Sequence, residues 1–247
     1  MEARPTDRSN VQAGIVSGLW RYPVKSMAGE ALASTDISWA GLPGDRRWAF
    51  VRPDSQDSGF PWHTIREFPG MSNYVALLGE PARPDKSRVL VRTPAGVLYD
   101  VADSRLAAEL GTGLRVMRID RGAFDAMPVS VISDSTVSAL CTLARVPGNE
   151  LRFRPNVVVT LDSGAPFGED EWVGSAVRIG AAVVRMDRRD SRCIIVNVDP
   201  ARGLPDSRLL KTIGATRGAC AGVYGTTVLP GLIRVGDPVI VEMRPQD

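Results

Sequence analysis

The stretch RFRPNVVVTL, residues 152–161, joins a charged turn to a run of apolar, mostly β-branched residues. Val157–Leu161 has the length and composition of a buried β-strand, because branched side chains pack well on a pleated surface. Arg154 and Asn156 stand on a turn that Pro155 stiffens, directly before that strand. They form a preorganised set of hydrogen-bond donors for an anion, and structural capping of the strand end is the alternative interpretation.

Short β-rich runs recur along the chain, separated by glycine, proline and aspartate, and turns such as Pro94-Ala95-Gly96 punctuate them as in hairpins. Helical spacing is clearest from Ser133 or Asp134 up to Pro147. We therefore predict a mainly β fold of the α+β class with a few short helices. The predicted strands are 15–24, 48–52, 88–93, 97–101, 114–119, 129–132, 157–161, 177–186, 194–198 and 239–243, and the further helices are 103–110 and 206–213.

A domain boundary is predicted near residues 120–127, where Arg121-Gly122-Ala123 interrupts the strand pattern and a new strand and helix follow. The predicted organisation is a polar tail over 1–12, a first domain over 13–122 and a second over 123–247. The tail lacks the apolar centre of a secretory signal. No run of about 18 apolar residues that could span a membrane is present, so we expect no membrane association.

The composition argues against several classes of function. The 247 residues are 44% hydrophobic and 23% charged, which suffices for one large domain or two small packed ones. Net charge is only +2 and lysine is scarce, so the cations are arginines at chosen places and nucleic acid is not an expected partner. Three cysteines do not form the disulfide framework of a secreted protein, and we expect a cytoplasmic one.

Common catalytic signatures are missing from the sequence. One histidine, His63, cannot build a histidine-rich zinc or iron site, and three cysteines fall short of an ordinary iron–sulfur cluster. Neither a nucleophile elbow nor a glycine-rich phosphate loop occurs. If the protein is a redox enzyme, we expect its electrons to come from another protein.

Two N-terminal turns carry candidate anion ligands. Tyr22-Pro23-Val24-Lys25-Ser26 ends a strand and offers an ammonium and a hydroxyl to one phosphate, the alternative being an ordinary exposed turn. Gly44-Asp45-Arg46-Arg47-Trp48 opens a strand, so we expect one arginine to point inward and the other to solvent. The inward one needs an anionic partner, either Asp45 or a ligand phosphate.

Cys193 is the candidate metal ligand. It follows Arg192 and the charged run Asp187-Arg188-Arg189-Asp190. Nearby guanidinium groups favour the thiolate that a soft or high-valent metal, or sulfur-transfer chemistry, requires. A buried structural cysteine is the alternative, which we expect for Cys141, on the apolar face of its helix. Cys220 stays undecided.

The order of these segments along the chain resembles the MOSC superfamily, and in particular the group of the amidoxime-reducing component and the bacterial hydroxylaminopurine reductases. The resemblance implies an N-terminal β-barrel-like domain packed on a β-barrel MOSC domain. It rests on the turns at 22–26 and 44–48 and on Thr64-Ile65-Arg66-Glu67-Phe68-Pro69 in the first domain, and in the second on segments 153–156, 169–172, 191–193, 199–200 and 231–238.

The resemblance also implies a molybdenum cofactor, that is molybdopterin with Mo, with Cys193 as the catalytic metal ligand. It implies cofactor contacts at Lys25, Ser26, Arg46, Arg154 and Asn156. Matching segments make Thr64, Arg66 and Ser133 further candidates. From charge alone we add Arg192 as a catalytic residue that tunes the thiolate of Cys193.

By this resemblance the protein is an enzyme that reduces N-hydroxylated compounds such as hydroxylamines, amidoximes or N-hydroxy purines. We expect neither a ferredoxin-like extension nor a membrane anchor, and therefore a separate electron donor of the ferredoxin, flavodoxin or cytochrome type. Two alternatives need the same thiolate: a sulfur-transfer module with a persulfide on Cys193, and a non-catalytic carrier of the molybdenum cofactor.

Overall fold

The structure, a computed structural model, describes residues 10–242. Within them it contains sixteen strands, three α-helices and several short 3-10 helices. The helices are α1 (Ser104–Leu110), α2 (Asp134–Ala144) and α3 (Arg208–Arg217). The strands are β1 (Asn10–Arg21), β2 (Glu30–Ala31), β3 (Ser34–Ile37), β4 (Trp48–Val51), β5 (Trp62–His63), β6 (Val75–Leu78), β7 (Val89–Arg92), β8 (Leu98–Asp100), β9 (Arg115–Arg118), β10 (Val129–Ser133), β11 (Val157–Leu161), β12 (Ala176–Ile179), β13 (Ala182–Ser191), β14 (Cys220–Leu229), β15 (Gly231–Arg234) and β16 (Pro238–Glu242).

Seven strands close into a barrel in the order β11-β10-β14-β13-β12-β16-β1, because β1 pairs with both β16 and β11. Only β10 and β11 run parallel within it. Gly14 permits the closure, since a Cβ there would lie 2.2 Å from the carbonyl oxygen of Thr160 on β11. Branched aliphatic side chains such as Val157, Val177 and Val223 fill the interior, as in other small barrels.

The N-terminal half forms three small sheets around a second core. Strands β4, β5 and β9 form one sheet, β6 to β8 another, and β3 pairs with the C-terminal strand β15. Buried side chains of this core include Phe50, Met71, Val91 and Leu106, and Val198 from the C-terminal half joins them. The predicted mainly β fold, with an N-terminal β unit packed on a β-barrel and a few short helices, is confirmed.

Helix α2 packs on the outside of the barrel and builds a third core. The side chain of Ser133 accepts a hydrogen bond from Thr136 N and caps the first turn, while Arg145 ends the helix in left-handed conformation. Leu140 and Cys141 are buried against α3 and β10. The prediction that Cys141 is a core residue is confirmed.

The strand predicted at 194–198 is wrong, because residues Ile194–Asn197 form a 3-10 helix. A short run of β-branched residues has strand composition, but here the chain turns away from the end of β13 toward α3, and Ile194 is exposed. The predicted strand 177–186 is two strands, because Gly180, at φ 53°, turns β12 back on β13 as a hairpin. Strand β14 was not predicted.

The predicted tail over 1–12 lies largely outside the described residues, but its last part is wrong. Asn10, Val11 and Gln12 pair with β16 as the start of β1. The domain boundary at residue 122 stays a prediction, and the sheets do not follow it, since β1 and β3 both pair with C-terminal strands. Across residues 10–242 no helix combines the length and apolar character needed to cross a bilayer.

We predict that Leu140→Ala lowers the free energy of unfolding by about 2–5 kcal/mol, because the side chain is fully buried in the third core. Leu143→Ala, on the same helix but 59% exposed, should change it by at most about 0.5 kcal/mol. Urea denaturation of the two variants measures both effects. Equal losses would show that α2 does not bury this face.

Candidate functional site

A cleft lies where the N-terminal half meets one end of the barrel. It contains about 640 Å³ of free space when the solvent at its open mouth is included. Seven of the residues predicted from sequence line it together: Lys25, Ser26, Arg46, Arg154, Asn156, Arg192 and Cys193. These residues come from four distant segments of the chain, so the fold brings together the turns that the sequence singled out.

Asp45 joins three of those segments. Its carboxylate accepts hydrogen bonds from the backbone N–H of Tyr22 at 2.7 Å and the side-chain amide of Asn156 at 3.1 Å, and it also pairs with Arg46. The side chain is fully buried. Because each partner stands on a different turn, one carboxylate fixes the relative positions of the 22–26, 44–48 and 153–156 turns.

Asn156 itself has no free hydrogen-bonding group toward the cleft. Its amide donates to Trp20 O and Asp45, and its side-chain oxygen accepts from the backbone N–H of Ser130. The residue therefore holds the architecture of the site, whether or not it also contacts a ligand.

Strained backbone marks the cation-bearing turns. Ser26, Arg46 and Arg154 have φ values of 69°, 51° and 51°, in the left-handed region that residues other than glycine seldom adopt. Such conformations persist only where the surroundings impose them, and they cluster at functional sites. The backbone thus sets the directions of a hydroxyl and two guanidinium groups in the cleft.

Five cations line the cleft, and four of them have a carboxylate partner. Lys25 pairs with Asp125 at 2.5 Å, Arg152 with Asp199 at 3.1 Å, Arg192 with Asp190 at 2.8 Å, and Arg46 with Asp45. Among the described residues Arg154 has no carboxylate within salt-bridge distance. The cleft therefore carries one uncompensated positive charge.

Keeping the charge of Arg154 away from water without a carboxylate partner costs free energy. Its Nη1 donates to Met27 O at 2.8 Å, but its Nη2 is buried without a hydrogen-bond partner in the described part of the chain. Burial lowers the pKa of Arg154 to about 10. A guanidinium in this condition is stabilised when an anion binds beside it, because the anion supplies both charge and acceptors.

Cys193 stands at the edge of the cleft with its side chain partly exposed, just after β13 and at the start of the 3-10 helix. The guanidinium of Arg66 lies beside its thiol. Although burial opposes it, the interaction with Cys193 raises the pKa of Arg66. Arg66 is exposed and stacks on Phe60, with 4.8 Å between the guanidinium and the ring centroid.

Thr64 is placed behind Arg66 and does not line the cleft. It is fully buried, its hydroxyl donates to Glu67 at 2.9 Å and accepts from the backbone N–H of Arg66. These bonds fix the turn that carries Arg66. Thr64 thus supports a neighbour of Cys193 in this structure.

The hydrogen bonds and the ion pair of Arg192 are made within the C-terminal half and not with the thiol of Cys193. Its side chain is 6% exposed, donates to Ala221 O and Phe153 O, and pairs with Asp190. Since Asp190 neutralises its charge, the guanidinium placed to act on Cys193 is that of Arg66. The role of Arg192 in tuning the thiolate has no support from these contacts.

Ser133 does not reach the cleft. Its hydroxyl caps α2 and donates to Glu169 at 2.8 Å, deep under the helix. The expectation that either Arg46 or Arg47 faces solvent is wrong: Arg47 is 3% exposed with its Nε 2.7 Å from Asp85, and the side chain of Arg46 is only 13% exposed. Arg46 lies in a turn rather than in the strand, so strand alternation does not apply to it.

The residues of the cleft that the sequence analysis did not assign to a site include Asp125, Asp190 and Tyr224. Asp190 is turned inward by an irregularity in the pairing of β13 with β14 between Arg189 and Ser191, and Ser130 and Tyr224 donate to it. Burial raises its pKa to about 6. A bulge leaves no clear mark in sequence, so only the alternation of β13 could have suggested this aspartate.

Comparison with known families matches both halves of the chain. The model of the MOSC domain matches residues 119–240, and that of the MOSC N-terminal beta barrel domain matches residues 13–127. Together the two models span nearly all of the described chain.

Curated proteins and one solved structure are similar over most of the chain. Mitochondrial amidoxime-reducing component 1 of Xenopus laevis is 30% identical over 92% of this chain and 82% of its own length. Mitochondrial amidoxime reducing component 2 of Rattus norvegicus is 27% identical over 96% and 86%. The YUAD protein from Bacillus subtilis, 14% identical, superposes with a TM-score of 0.52 over 96% of this chain and all of its own, which shows a shared fold.

We predict that Asp190 makes stability fall as pH rises. Its folded-state pKa of about 6 exceeds the ordinary value of 3.8, so its contribution is complete below about pH 4 and is lost as pH rises through 6. Between pH 4 and 7 the free energy of unfolding of wild type should fall by roughly 2–3 kcal/mol relative to Asp190→Asn.

Urea denaturation of both proteins across this pH range measures the difference. Asp120→Asn, at a carboxylate that is 82% exposed, is the control and should show no comparable trend. A wild-type-minus-variant difference that stays constant with pH would contradict the assignment.

Proposed function

The chain belongs to the MOSC family, with a MOSC N-terminal β-barrel domain ahead of the MOSC domain, and on this basis we propose that it is a molybdenum-cofactor-binding oxidoreductase that reduces N-hydroxylated compounds. The observation that carries the proposal is that Cys193 lines one cleft together with five cations, of which Arg154 has no carboxylate partner among the described residues. The relatives named for amidoxime reduction suggest the substrate class, since an amidoxime carries an N–OH group.

The residues of the cleft fit an anionic cofactor with a metal at one end. Arg154 has a buried Nη2 without a partner, and its charge lacks a carboxylate among the described residues. A phosphate-bearing pterin would supply both. Lys25, Ser26, Arg46 and Arg154 would hold the phosphate and pterin, and the partly exposed thiol of Cys193 would bind the metal.

When bound, the molybdenum centre would supply the redox chemistry, and the protein would supply orientation and electrostatics. The guanidinium of Arg66 lies beside Cys193 Sγ and can donate a hydrogen bond to that sulfur. The ring of Phe60 lies beside both Arg66 and Lys25, with its centroid 4.8 Å from the guanidinium and 5.3 Å from Nζ.

The proposed reduction also needs protons, because converting an N–OH group to N–H with release of water consumes two electrons and two protons. Asp190 is a buried acid of the cleft whose pKa, raised by burial to about 6, lets its carboxylate hold or release a proton near neutral pH. We propose that the electrons come from a separate donor protein of the ferredoxin, flavodoxin or cytochrome type.

The test begins with protein expressed in a host that makes the cofactor, followed by metal and pterin analysis and an N-hydroxy substrate assay with an artificial electron donor. Molybdenum together with turnover supports the reductase. Molybdenum without turnover under any donor would indicate a cofactor carrier. A cyanide-labile sulfur on Cys193 without molybdenum would indicate sulfur transfer.

We predict that Cys193→Ala lowers the molybdenum content per protein by about tenfold or more, because it removes the proposed metal ligand. Cys220→Ala is the matched control, since Cys220 is also a partly exposed free thiol but does not line the cleft. Elemental analysis of the two purified variants measures the effect. Molybdenum content that is equal in wild type and Cys193→Ala would rule out this ligand.

A further inference from the structure

The connection between β9 and β10 runs along the cleft, and we call its residues 121–128 the strap. Phe124, Asp125 and Met127 of the strap line the cleft together with Lys25. The strap joins the N-terminal sheets to the barrel, because β9 pairs with β4 and β10 is a strand of the barrel. The function proposed above assigns no role to these residues.

Few contacts of the backbone or the apolar side chains hold the strap in place. Ala123 N donates to Arg46 O at 2.8 Å, but from 124 to 128 the backbone makes no hydrogen bond with other backbone groups of residues 10–242. Phe124 and Met127 are only partly buried, and they are not among the residues of the three cores described above. A segment with so few buried contacts opens locally at a low cost in free energy.

Lys25 is the side chain that anchors the strap. Its ammonium donates to Ala123 O at 2.6 Å and to the carboxylate of Asp125 at 2.5 Å. Lys25 is 4% exposed, whereas the side chain of Asp125 is 37% exposed. The strap therefore covers the lysine and presents the carboxylate of the pair to solvent.

The ammonium of Lys25 is also a proposed contact of the anionic ligand. Two of its three N–H donors are bound to the strap. A ligand anion that reaches Lys25 competes with Asp125 for the same positive charge. A phosphate carries more charge and more acceptor oxygens than a carboxylate, and once bound it repels the displaced carboxylate.

Gly122 gives the strap a point about which it can turn. Its φ is 88°, a conformation that residues with a Cβ rarely adopt, and a Cβ here would lie 2.5 Å from the ring of Phe124. The ring of Phe124 thus folds back against Gly122. Positions that absorb a large change in backbone dihedrals are the usual hinges of mobile loops.

We propose that the strap is a gate of the cleft. Bound to Lys25 through Asp125 it closes the cleft, and an anionic ligand that takes Lys25 from Asp125 releases it. The release rests on the proposed function, because it requires an anionic ligand in the cleft. The anchoring of the strap on Lys25 does not depend on that function.

Hydrogen exchange at the Ala123 amide of the full chain measures opening, because this amide is bonded to Arg46 O when the strap is closed. Asp125→Asn removes the charge that pairs with Lys25, so we expect about tenfold faster exchange. Asp120→Asn is the control, since Asp120 is 82% exposed and pairs with Arg118, and it should exchange as wild type does. Thermal unfolding of each variant verifies that it is folded.

Inorganic phosphate is the probe for release by an anion, with chloride of equal ionic strength as the control and calorimetry to establish saturation. Bound phosphate should speed exchange at Ala123 about tenfold in wild type and change it little in Asp125→Asn, whose strap is already released. Exchange that Asp125→Asn leaves unchanged, or that bound phosphate leaves unchanged or slows in wild type, would overturn the gate. Absence of phosphate binding to both proteins would overturn it as well.

Molybdenum analysis of the same chain separates the gate from the proposed function. Molybdenum uptake by a protein whose strap does not respond to Asp125→Asn or to phosphate rejects the gate alone. A responding strap in a protein that takes up no molybdenum supports the gate and rejects the proposed cofactor.

Discussion

The organisation of the site depends on one guanidinium, that of Arg154, which has no carboxylate partner among the described residues. Arg154 has left-handed backbone and lines the same cleft as Cys193, and its Nη2 has no hydrogen-bond partner among residues 10–242. Leaving a charge in this state costs free energy, and a fold selected for stability alone would have replaced or paired it. The arrangement is therefore best explained by an anion that binds there.

The barrel is what makes such a site possible. Closure by β1 on β11 continues into the hydrogen bond from Trp20 N to Asn156 O, and so brings the turn after β1 beside the turn before β11. Asp45 then locks both turns to Arg46. On the opposite wall, the irregular end of β13 turns Asp190 inward and leads to Cys193. Rigid strands thus position a site that consists almost wholly of turns.

Sequence reasoning predicted the fold class and seven of the residues that line the cleft, because short apolar strands and charged turns are local features. It could not predict roles that depend on long-range pairing. Asp45 was considered only as a partner for an arginine, Ser133 proved to be a helix cap, and the charge beside Cys193 belongs to Arg66 rather than to Arg192. The strand predicted at 194–198 was wrong for the same reason. Its apolar composition is that of a strand, but its neighbours in the fold hold Ile194–Asn197 as a 3-10 helix.

The most direct test of the central claim is a crystal structure of the protein purified from a host that makes the molybdenum cofactor. The account predicts density for a phosphate-bearing ligand in contact with the guanidinium of Arg154, and a metal bound to Cys193 Sγ. A ligand or metal seated elsewhere, with Arg154 still lacking an anion, would contradict it.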